Sequence, residues 1–324
     1  LAMATRPAFD PNNPGDAPVE ATKNRAVIEM FEPGSTFKPV VIAAALNENA
    51  VTEESKFHCE NGSFAYAGKI LRDVHGYGTM SVHDILVKSS NIGCAKIAMH
   101  IGPDTFYEYI RRFGFGERTG LGLPGEITGI VRPRHKWTPL SITRIPMGHE
   151  VAVTPLQSAV SMSVIANGGN MMLPQIVRSV HDGEGRELVG FRPQVLRRVV
   201  TEETAAQVAS ALTEVVSERG TAPLARIPGF RVAGKTGTAQ RVDPKGGYTP
   251  GKYVLSFSGY FPAGEPKIAG IVVVDDPRTP GTSVYGGTIA APIFARIGDA
   301  MARHLDLVPE TEEPGGTKVA LVPF

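Results

Sequence analysis

Hydrophobic residues recur at intervals of three and four over most of the chain up to residue 219, a spacing typical of helices. The motif Ser81-Val-His-Asp84 predicts one helix start, and Thr154 and Gly168 are expected to cap the two ends of another. The predicted helices cover 35–46, 81–89, 92–100, 103–113, 155–167 and 202–219, and one more covers 289–304. The middle of the chain is therefore expected to be helical.

Near residue 230 the hydrophobic spacing changes to alternation. The runs 230–239, 253–261 and 268–274 are separated by turns rich in glycine and proline, which predicts consecutive antiparallel strands. A further short strand is predicted over 1–5, before a loop over 8–21. The fold class is therefore α+β: an antiparallel central sheet flanked by helices, with an all-helical subdomain between the early strand and the late sheet. We expect one domain over 1–304 and a flexible tail over 305–324.

Composition narrows the function classes. Of the 324 residues, 33 are Lys or Arg and 32 are Asp or Glu, so the net charge of +1 indicates no nucleic-acid partner. Cys59 and Cys94 lack the spacing of metal ligands, and we expect no metal and no other cofactor. The longest stretch without a charged residue, 151–177, contains prolines and glycines that argue against a membrane span.

The motif Ser35-Thr-Phe-Lys38 carries the first candidate chemistry. A spacing of three on a helix places Ser35 and Lys38 on one face, and the preceding Pro33-Gly34 places them at its start. Free amides at a helix start can bind an oxyanion, and the positive end of the helix dipole favours an alkoxide beside a neutral lysine. On its own, a Ser-x-x-Lys motif is more often an ordinary helical turn.

Two further motifs are present, each once. Ser89-Ser-Asn91 lies between two predicted helices, where it either caps a helix or presents a hydroxyl and an amide to a substrate. Lys235-Thr-Gly-Thr238 lies in a predicted strand, where it is either the polar guard of an edge strand or a place where a ligand backbone approaches Gly237.

Two other chemistries are disfavoured. The segment from Gly229 to Thr236 satisfies the phosphate-loop pattern, but it alternates like a strand and no helix follows it. His149-Glu150 begins a zinc-protease motif that fails at Val153, where the second histidine is required.

Taken in order, the three motifs resemble the active site of penicillin-binding proteins and serine β-lactamases, and imply their fold. Segments similar to the class B, monofunctional penicillin-binding proteins are Asn24-Arg-Ala26, Phe31 to Pro39, Thr154 to Gln157, Ala166 to Gly169, Gly220-Thr-Ala222 and Ala233 to Gln240. Segments similar to the septal, cell-division branch are Val274 to Pro277, Tyr285-Gly-Gly287 and Ala290 to Phe294. Gly148-His-Glu150 departs from the Gly-Tyr-Gly or Gly-Gln-Gly usual there.

The resemblance implies a peptidoglycan D,D-transpeptidase that passes through a serine acyl-enzyme. Ser35 is the implied nucleophile on D-Ala-D-Ala stem peptides, and Lys38 the implied general base. Ser89 is implied to relay the proton, and Asn91 to hold the substrate amide and orient Lys38. Lys235 is implied to stay charged and attract the substrate carboxylate.

The same resemblance assigns substrate binding to the strand motif. Thr236 and Thr238 are implied to hydrogen-bond the carboxylate, and the backbone amides of Ser35 and Thr238 to form the oxyanion hole. Gly237 is implied to let the substrate lie against the sheet edge.

The expected partners follow from this family. They are peptidoglycan stem peptides, penicillin and other β-lactams, and, in the full-length protein, a membrane glycosyltransferase and divisome proteins. The expected location is the bacterial inner membrane, with the catalytic domain on the periplasmic side and the N-terminal anchor outside this fragment.

Two alternative functions stay open. A class A β-lactamase needs a Glu-x-x-x-Asn pair, whereas Glu126 is followed by Ile-Thr-Gly-Ile130. A class D enzyme has Ser-x-Val in place of Ser89-Ser-Asn91. The other alternative is a non-catalytic penicillin-sensing domain.

Overall fold

A computed structural model describes residues 2–243, 245–278 and 284–310. The helices of that part are α1 (Val19–Thr22), α2 (Arg25–Ile28), α3 (Lys38–Asn47), α4 (Val82–Lys88), α5 (Asn91–Ile101), α6 (Pro103–Arg112), α7 (Ser141–Arg144), α8 (Pro155–Ala166), α9 (Glu202–Val215) and α10 (Gly286–His304). The strands are β1 (Lys56–His58), β2 (Ser63–Tyr66), β3 (Lys69–Arg72), β4 (Thr79–Ser81), β5 (Ile130–Val131), β6 (Val151–Ala152), β7 (Asn170–Met172), β8 (Ser179–His181), β9 (Glu187–Gly190), β10 (Val195–Arg198), β11 (Ala233–Val242), β12 (Tyr248–Phe261) and β13 (Ile268–Asp275).

The central sheet has the order β11-β12-β13, and both strand pairs are antiparallel, as the alternation predicts. In this register Lys235 lies opposite Ser258, and Thr238 lies opposite Leu255. Among the described strands, β11 lies at one edge of the sheet. One side of its backbone pairs with β12, and no described strand pairs with the other side. The fold class predicted from the sequence is confirmed.

The helical part packs around α3. Every residue of α3 from Lys38 to Leu46 is buried, and α5, α6 and α9 pack against this helix. Just before α3, the Phe37 ring lies 4.8 Å from the Phe115 ring, centroid to centroid. Burial of apolar surface stabilises the folded state by about 25 cal/mol per Å². The buried side chains of α3 therefore hold the start of this helix in the core.

The sheet and α10 form a second hydrophobic core. Because side chains alternate along β12, Phe257 and Phe261 point into this core, whereas Tyr260 points into the helical one. The Phe257 and Phe294 ring centroids are 4.9 Å apart. The start of α3 and the edge strand β11 meet where the two cores adjoin.

Most predicted elements are present, with three differences. The predicted early strand is wrong over residues 2–5, which form no strand; Leu1 lies outside the described residues. Helix α9 ends at Val215, before the predicted 219, because a turn over the next residues leads to Gly220. Five two-stranded sheets among the helices escaped prediction, since strands of two to four residues are too short to show a period.

The C-terminal segment follows the sheet as far as it is described. Glu310 accepts hydrogen bonds from the Arg231 backbone N–H at 2.8 Å and from Arg231 Nε at 3.2 Å. The rest of the predicted tail, 311–324, lies outside the described residues. Within the described ranges, no helix combines the length and the apolar character that a membrane crossing requires.

Candidate active site

The first motif forms a tight turn that leads into α3. Gly34–Phe37 is a 3-10 helix, and the Lys38 backbone N–H donates to the Ser35 carbonyl at its end. Side chains three residues apart eclipse one another in a 3-10 helix, so Ser35 and Lys38 share one face. Ser35 is half-buried and Lys38 is fully buried.

Two glycines allow this turn to pack closely against neighbouring backbone segments. Gly34 has a φ of +57°, and a Cβ on it would lie 3.2 Å from Thr238 O and 3.4 Å from Thr238 N. Gly148 has a φ of +78°, and a Cβ there would lie only 2.2 Å from Gly34 O. The Gly34 N–H donates to Gly148 O at 3.3 Å. The Ser35 turn is thus clamped beside Thr238, whose amide the resemblance assigns to the oxyanion hole.

The second motif closes around Lys38. Lys38 Nζ donates to Asn91 Oδ1 at 2.8 Å and to Ser89 Oγ at 3.0 Å, and it also contacts the Ser89 carbonyl. Ser89 terminates α4 in the left-handed conformation, with φ +63°, a backbone arrangement that is strained for serine and turns its carbonyl toward the lysine. The structure therefore brings Lys38 to Ser89 and Asn91, which lie 51 and 53 residues further along the chain.

Ser90 points away from this cluster. Its hydroxyl donates to Asp73 Oδ2 at 2.6 Å and accepts from the Gly93 N–H at 2.9 Å. It is the N-cap of α5. The motif therefore has both of the roles considered above, because Ser90 caps α5 while Ser89 and Asn91 contact Lys38.

Burial sets the ionisation of Lys38. Removal from water lowers the pKa of Lys38, and Cys94 and Asp73 act against that shift. Burial also raises the pKa of the Cys94 thiol to about 12, so this thiol is protonated and uncharged at neutral pH. Of these two neighbours, Asp73 is therefore the one that supplies negative charge.

Lys235 extends beneath the Ser35 turn. It lies on the same face of β11 as Gly237, where a Cβ would be 2.8 Å from Pro33 O and 3.0 Å from Thr36 Cγ2. Lys235 is fully buried, and its Nζ has no hydrogen-bond partner in the part of the chain that the structure describes. Burial, and secondarily the nearby Lys38, lower the pKa of Lys235 well below its ordinary value. Burial thus works against the protonated form of Lys235, the form that the resemblance implies for binding a substrate carboxylate.

Two threonines face the other side of β11. Thr236 Oγ1 pairs with Thr221 Oγ1 at 2.9 Å, and Thr238 Oγ1 accepts from the Gly286 N–H at the start of α10, at 3.1 Å. The second bond uses a lone pair of Thr238, so its hydroxyl hydrogen can still be donated. Lys235 lies within β11, which excludes the phosphate-loop alternative. Because its side chain is buried, Lys235 is not the solvent-facing polar guard of an edge strand.

Two groups near the site escaped the sequence analysis. One is Asp73. The other is a hydrogen-bonded cluster around Glu32, three residues before Ser35. Glu32 Oε2 accepts from His149 Nδ1 at 2.8 Å and from the hydroxyl of Tyr248, the first residue of β12, at 3.0 Å. No spacing rule connects such distant positions, and the departure from the usual sequence at Gly148-His-Glu150 was the only signal near either group.

A buried lysine beside a serine, with a hydroxyl and an amide facing that lysine, is typical of serine acyltransferases in which lysine replaces histidine as the base. The model of the penicillin-binding protein transpeptidase domain matches residues 1–299, and the chain belongs to that family.

Curated relatives agree with this family. Stage V sporulation protein D of Bacillus subtilis is 36% identical over 92% of this chain and 46% of its own length. The peptidoglycan D,D-transpeptidase FtsI of Escherichia coli is 33% identical over 97% of this chain and 51% of its own length. The chain thus spans about half the length of these relatives.

Solved structures match the fold. The transpeptidase domain of penicillin-binding protein 3 from Burkholderia pseudomallei has a TM-score of 0.80 and 34% identity, covering 90% of this chain and 84% of that one. Penicillin-binding protein 3 of Mycobacterium tuberculosis in complex with ampicillin has a TM-score of 0.82 and 32% identity, covering 95% of this chain and 69% of that one.

Proposed function

We propose that this chain is the catalytic domain of a peptidoglycan D,D-transpeptidase that β-lactams acylate at Ser35. The observation that carries the proposal is the set of contacts at Lys38. A fully buried lysine, held by Ser89 and Asn91 on the face of α3 that Ser35 shares, is suited to accept the proton of Ser35. The relative named peptidoglycan D,D-transpeptidase supports the reaction.

In the first step, Ser35 Oγ attacks the carbonyl carbon of the penultimate D-Ala of a stem peptide. Lys38 accepts the hydroxyl proton, which it can do only when neutral, and burial favours that form. The bond to the terminal D-Ala nitrogen breaks, and Ser89 relays the proton to this leaving nitrogen. The products are an ester on Ser35 and free D-Ala.

Substrate binding is assigned to β11. The terminal carboxylate lies near Lys235, and its negative charge favours the protonated form of this lysine. Thr236 and Thr238 project from the opposite face of β11, and they offer hydroxyls to the same carboxylate around the edge of this strand. Gly237 permits the close approach of the peptide backbone. The Ser35 and Thr238 amides stabilise the oxyanion, a contribution of about 3–4 kcal/mol per donor in comparable sites.

In the second step, the amine of a neighbouring stem attacks the ester, and the peptide cross-link forms as Ser35 is released. A β-lactam presents its ring carbonyl in place of the D-Ala carbonyl and leaves Ser35 acylated. The ampicillin complex of the M. tuberculosis relative supports β-lactam binding.

The contacts of Glu126 favour a transpeptidase over a class A β-lactamase. Its carboxylate accepts hydrogen bonds from the Thr119 backbone N–H at 2.7 Å and from the Thr119 hydroxyl at 2.6 Å. A carboxylate held in this loop is not available to activate the water that a fast deacylation needs. The acyl-enzyme is therefore expected to be long-lived with β-lactams.

The biological setting is proposed from the relatives. Peptidoglycan lies outside the cytoplasmic membrane, so the domain works on the periplasmic face of the inner membrane, in a full-length protein that is anchored there. The cell-division role rests on the septal-type segments, and it implies a membrane glycosyltransferase and divisome proteins as partners.

A stem-peptide exchange assay tests the proposal. The protein is incubated with a synthetic pentapeptide ending in D-Ala-D-Ala and with a labelled D-amino acid as acceptor. We expect release of D-Ala and a pentapeptide that carries the labelled D-amino acid in place of its terminal D-Ala, and neither with Ser35→Ala. Penicillin labelling without any peptide turnover would favour the sensing domain, and the absence of both would contradict the proposal.

A further inference from the structure

Asp73 lies in the loop that follows β3 and faces the N-terminus of α5. Its Oδ2 accepts from the Ser90 hydroxyl at 2.6 Å, and its Oδ1 accepts from the Ile92 N–H at 3.1 Å and from the Asn91 N–H. One carboxylate thus binds three successive residues at the start of this helix. The first two of them belong to the Ser89-Ser-Asn91 motif.

The residue before Asp73 completes the arrangement. Asn91 Nδ2 donates to Arg72 O at 2.8 Å, while Asn91 Oδ1 accepts from Lys38 Nζ at 2.8 Å. The backbone of Asn91 is held by Asp73 and its side chain by Arg72. The amide can therefore present only its oxygen to the lysine.

We propose that Asp73 is a positioning residue for the general base, fixing the Ser89–Asn91 turn against Lys38 and supplying the negative charge of a site that buries two lysines. The inference rests on the proposed function, in which Lys38 takes the proton of Ser35. An anion at a helix N-terminus also interacts favourably with the free amides and the helix dipole.

The groups around Lys38 determine how the charge of Asp73 changes the pKa of Lys38. They are Ser89 and Asn91 in the turn, Cys94 on α5, Lys235 on β11, and Asp73. The thiol is uncharged at neutral pH, and the nearby Lys38 lowers the pKa of Lys235. The negative charge of Asp73 raises the pKa of Lys38, so its removal lowers that pKa and leaves Lys38 neutral down to a lower pH.

Two substitutions separate charge from position. Asp73→Asn keeps an oxygen for the Asn91 and Ile92 amides but removes the charge, whereas Asp73→Ala removes both. The second-order rate constant for acylation by penicillin is measured from about pH 5 to pH 10. The fraction of protein that can be acylated is taken from the intact mass at the end of each reaction. We expect Asp73→Asn to move the acidic limb to lower pH, and Asp73→Ala to lower the plateau by about tenfold or more as well.

Asp84 provides the matched control. It lies in the first turn of α4, where its Oδ2 accepts from Ser81 Oγ at 3.2 Å, at the opposite end of that helix from Ser89. Asp84→Asn and Asp84→Ala also weaken a helix N-terminus, but they should keep the wild-type plateau and acidic limb. Unfolding temperatures of all four variants show how much stability each change removes.

A direct titration decides the question without any acylation. The pKa of Lys38 is followed by NMR of isotopically labelled lysine in wild type and Asp73→Asn, with the resonance assigned by its loss in Lys38→Met. A lower pKa in Asp73→Asn supports the inference. An unchanged pKa, or an Asp73→Ala protein that acylates with the wild-type rate and limb, overturns it. A wild type that is not acylated contradicts the proposed function and leaves the titration result to stand alone.

Discussion

At the scale of single residues, the two buried lysines set the chemistry. Lys38 has three hydrogen-bond contacts, whereas Lys235 has none in the described part of the chain. A buried amine without a partner lowers stability, because the folded state must either lose its proton or bury a charge. The site therefore keeps a costly group that becomes useful once a carboxylate arrives.

Lys235→Met should consequently stabilise the protein while abolishing acylation. We expect a gain of about 1–3 kcal/mol at pH 7, the usual cost of an unsatisfied buried polar group. The pKa of Lys235 is lower in the folded than in the unfolded state, so wild-type stability rises with pH up to the unfolded pKa near 10.5. The advantage of the variant should shrink over the same range, as measured by thermal unfolding at pH 7 and pH 10.

Lys252→Met is the control for that comparison. This lysine is also on the sheet, but it is exposed and pairs with Asp276 at 3.0 Å. Its replacement should change stability by about 0.5 kcal/mol or less at either pH. A Lys235→Met protein less stable than wild type at pH 7 would show that the buried amine is satisfied in solution.

Sequence reasoning reached the serine, lysine and asparagine of the site because each belongs to a short motif whose spacing has a physical meaning. It did not reach the full burial of Lys235, because burial of a side chain depends on what packs over it. It also missed Asp73, because a lone aspartate between a strand and a loop has no distinguishing neighbours in sequence.

At the scale of elements, the catalytic turn is fixed from outside by glycines. Gly148 contacts the Gly34 backbone so closely that a methyl group has no room, and Gly34 in turn lies against Thr238. The position of Ser35 therefore depends on a loop that contains none of the three motifs.

Gly148→Ala should displace the turn and lower the acylation rate by about tenfold or more, a loss of at least 1.4 kcal/mol. Its Cβ would lie 2.2 Å from Gly34 O, in addition to the strain of a positive φ. Gly122→Ala is the matched control, since Gly122 has a φ of +81° with nothing within 4 Å of the added Cβ. Both variants should lose stability, but only Gly148→Ala should acylate slowly; equal rates would show that the turn tolerates the shift.

Element prediction succeeded where local chemistry marks an end. The Ser81 cap of α4 and the Thr154 cap of α8 form as expected, and Gln157 completes a capping box with Thr154. The short strands β1 to β10 carry no such marks, and tertiary pairing decides them. The left-handed Ser89 between α4 and α5 was likewise invisible, because serine rarely adopts that conformation.

At the scale of the whole molecule, the site joins two hydrophobic cores. Ser35, Lys38 and Ser89 belong to the helical part, and Lys235 belongs to the sheet that packs on α10. A ligand attached to Ser35 whose carboxylate reaches Lys235 would link both parts. It would also pair the lysine that lacks a partner among the described residues.

Acylation by penicillin should therefore raise the unfolding temperature. A gain of about 1–2 kcal/mol corresponds to about 2–3 °C for a domain of this size. Differential scanning calorimetry of the acylated and free protein measures the shift, and Ser35→Ala with the same penicillin controls for reversible binding. An acylated protein that melts at or below the temperature of the free one would argue against the carboxylate–Lys235 contact.

The most direct test of the account is the intact mass of the protein after incubation with penicillin, followed over time. The account predicts one adduct on wild type, at Ser35, that persists for many minutes, and no adduct on Ser35→Ala, Lys38→Ala or Lys235→Ala. Release within seconds would identify a β-lactamase instead. No adduct on folded wild type, or an adduct that survives Ser35→Ala, would contradict the assignment of Ser35 as the nucleophile.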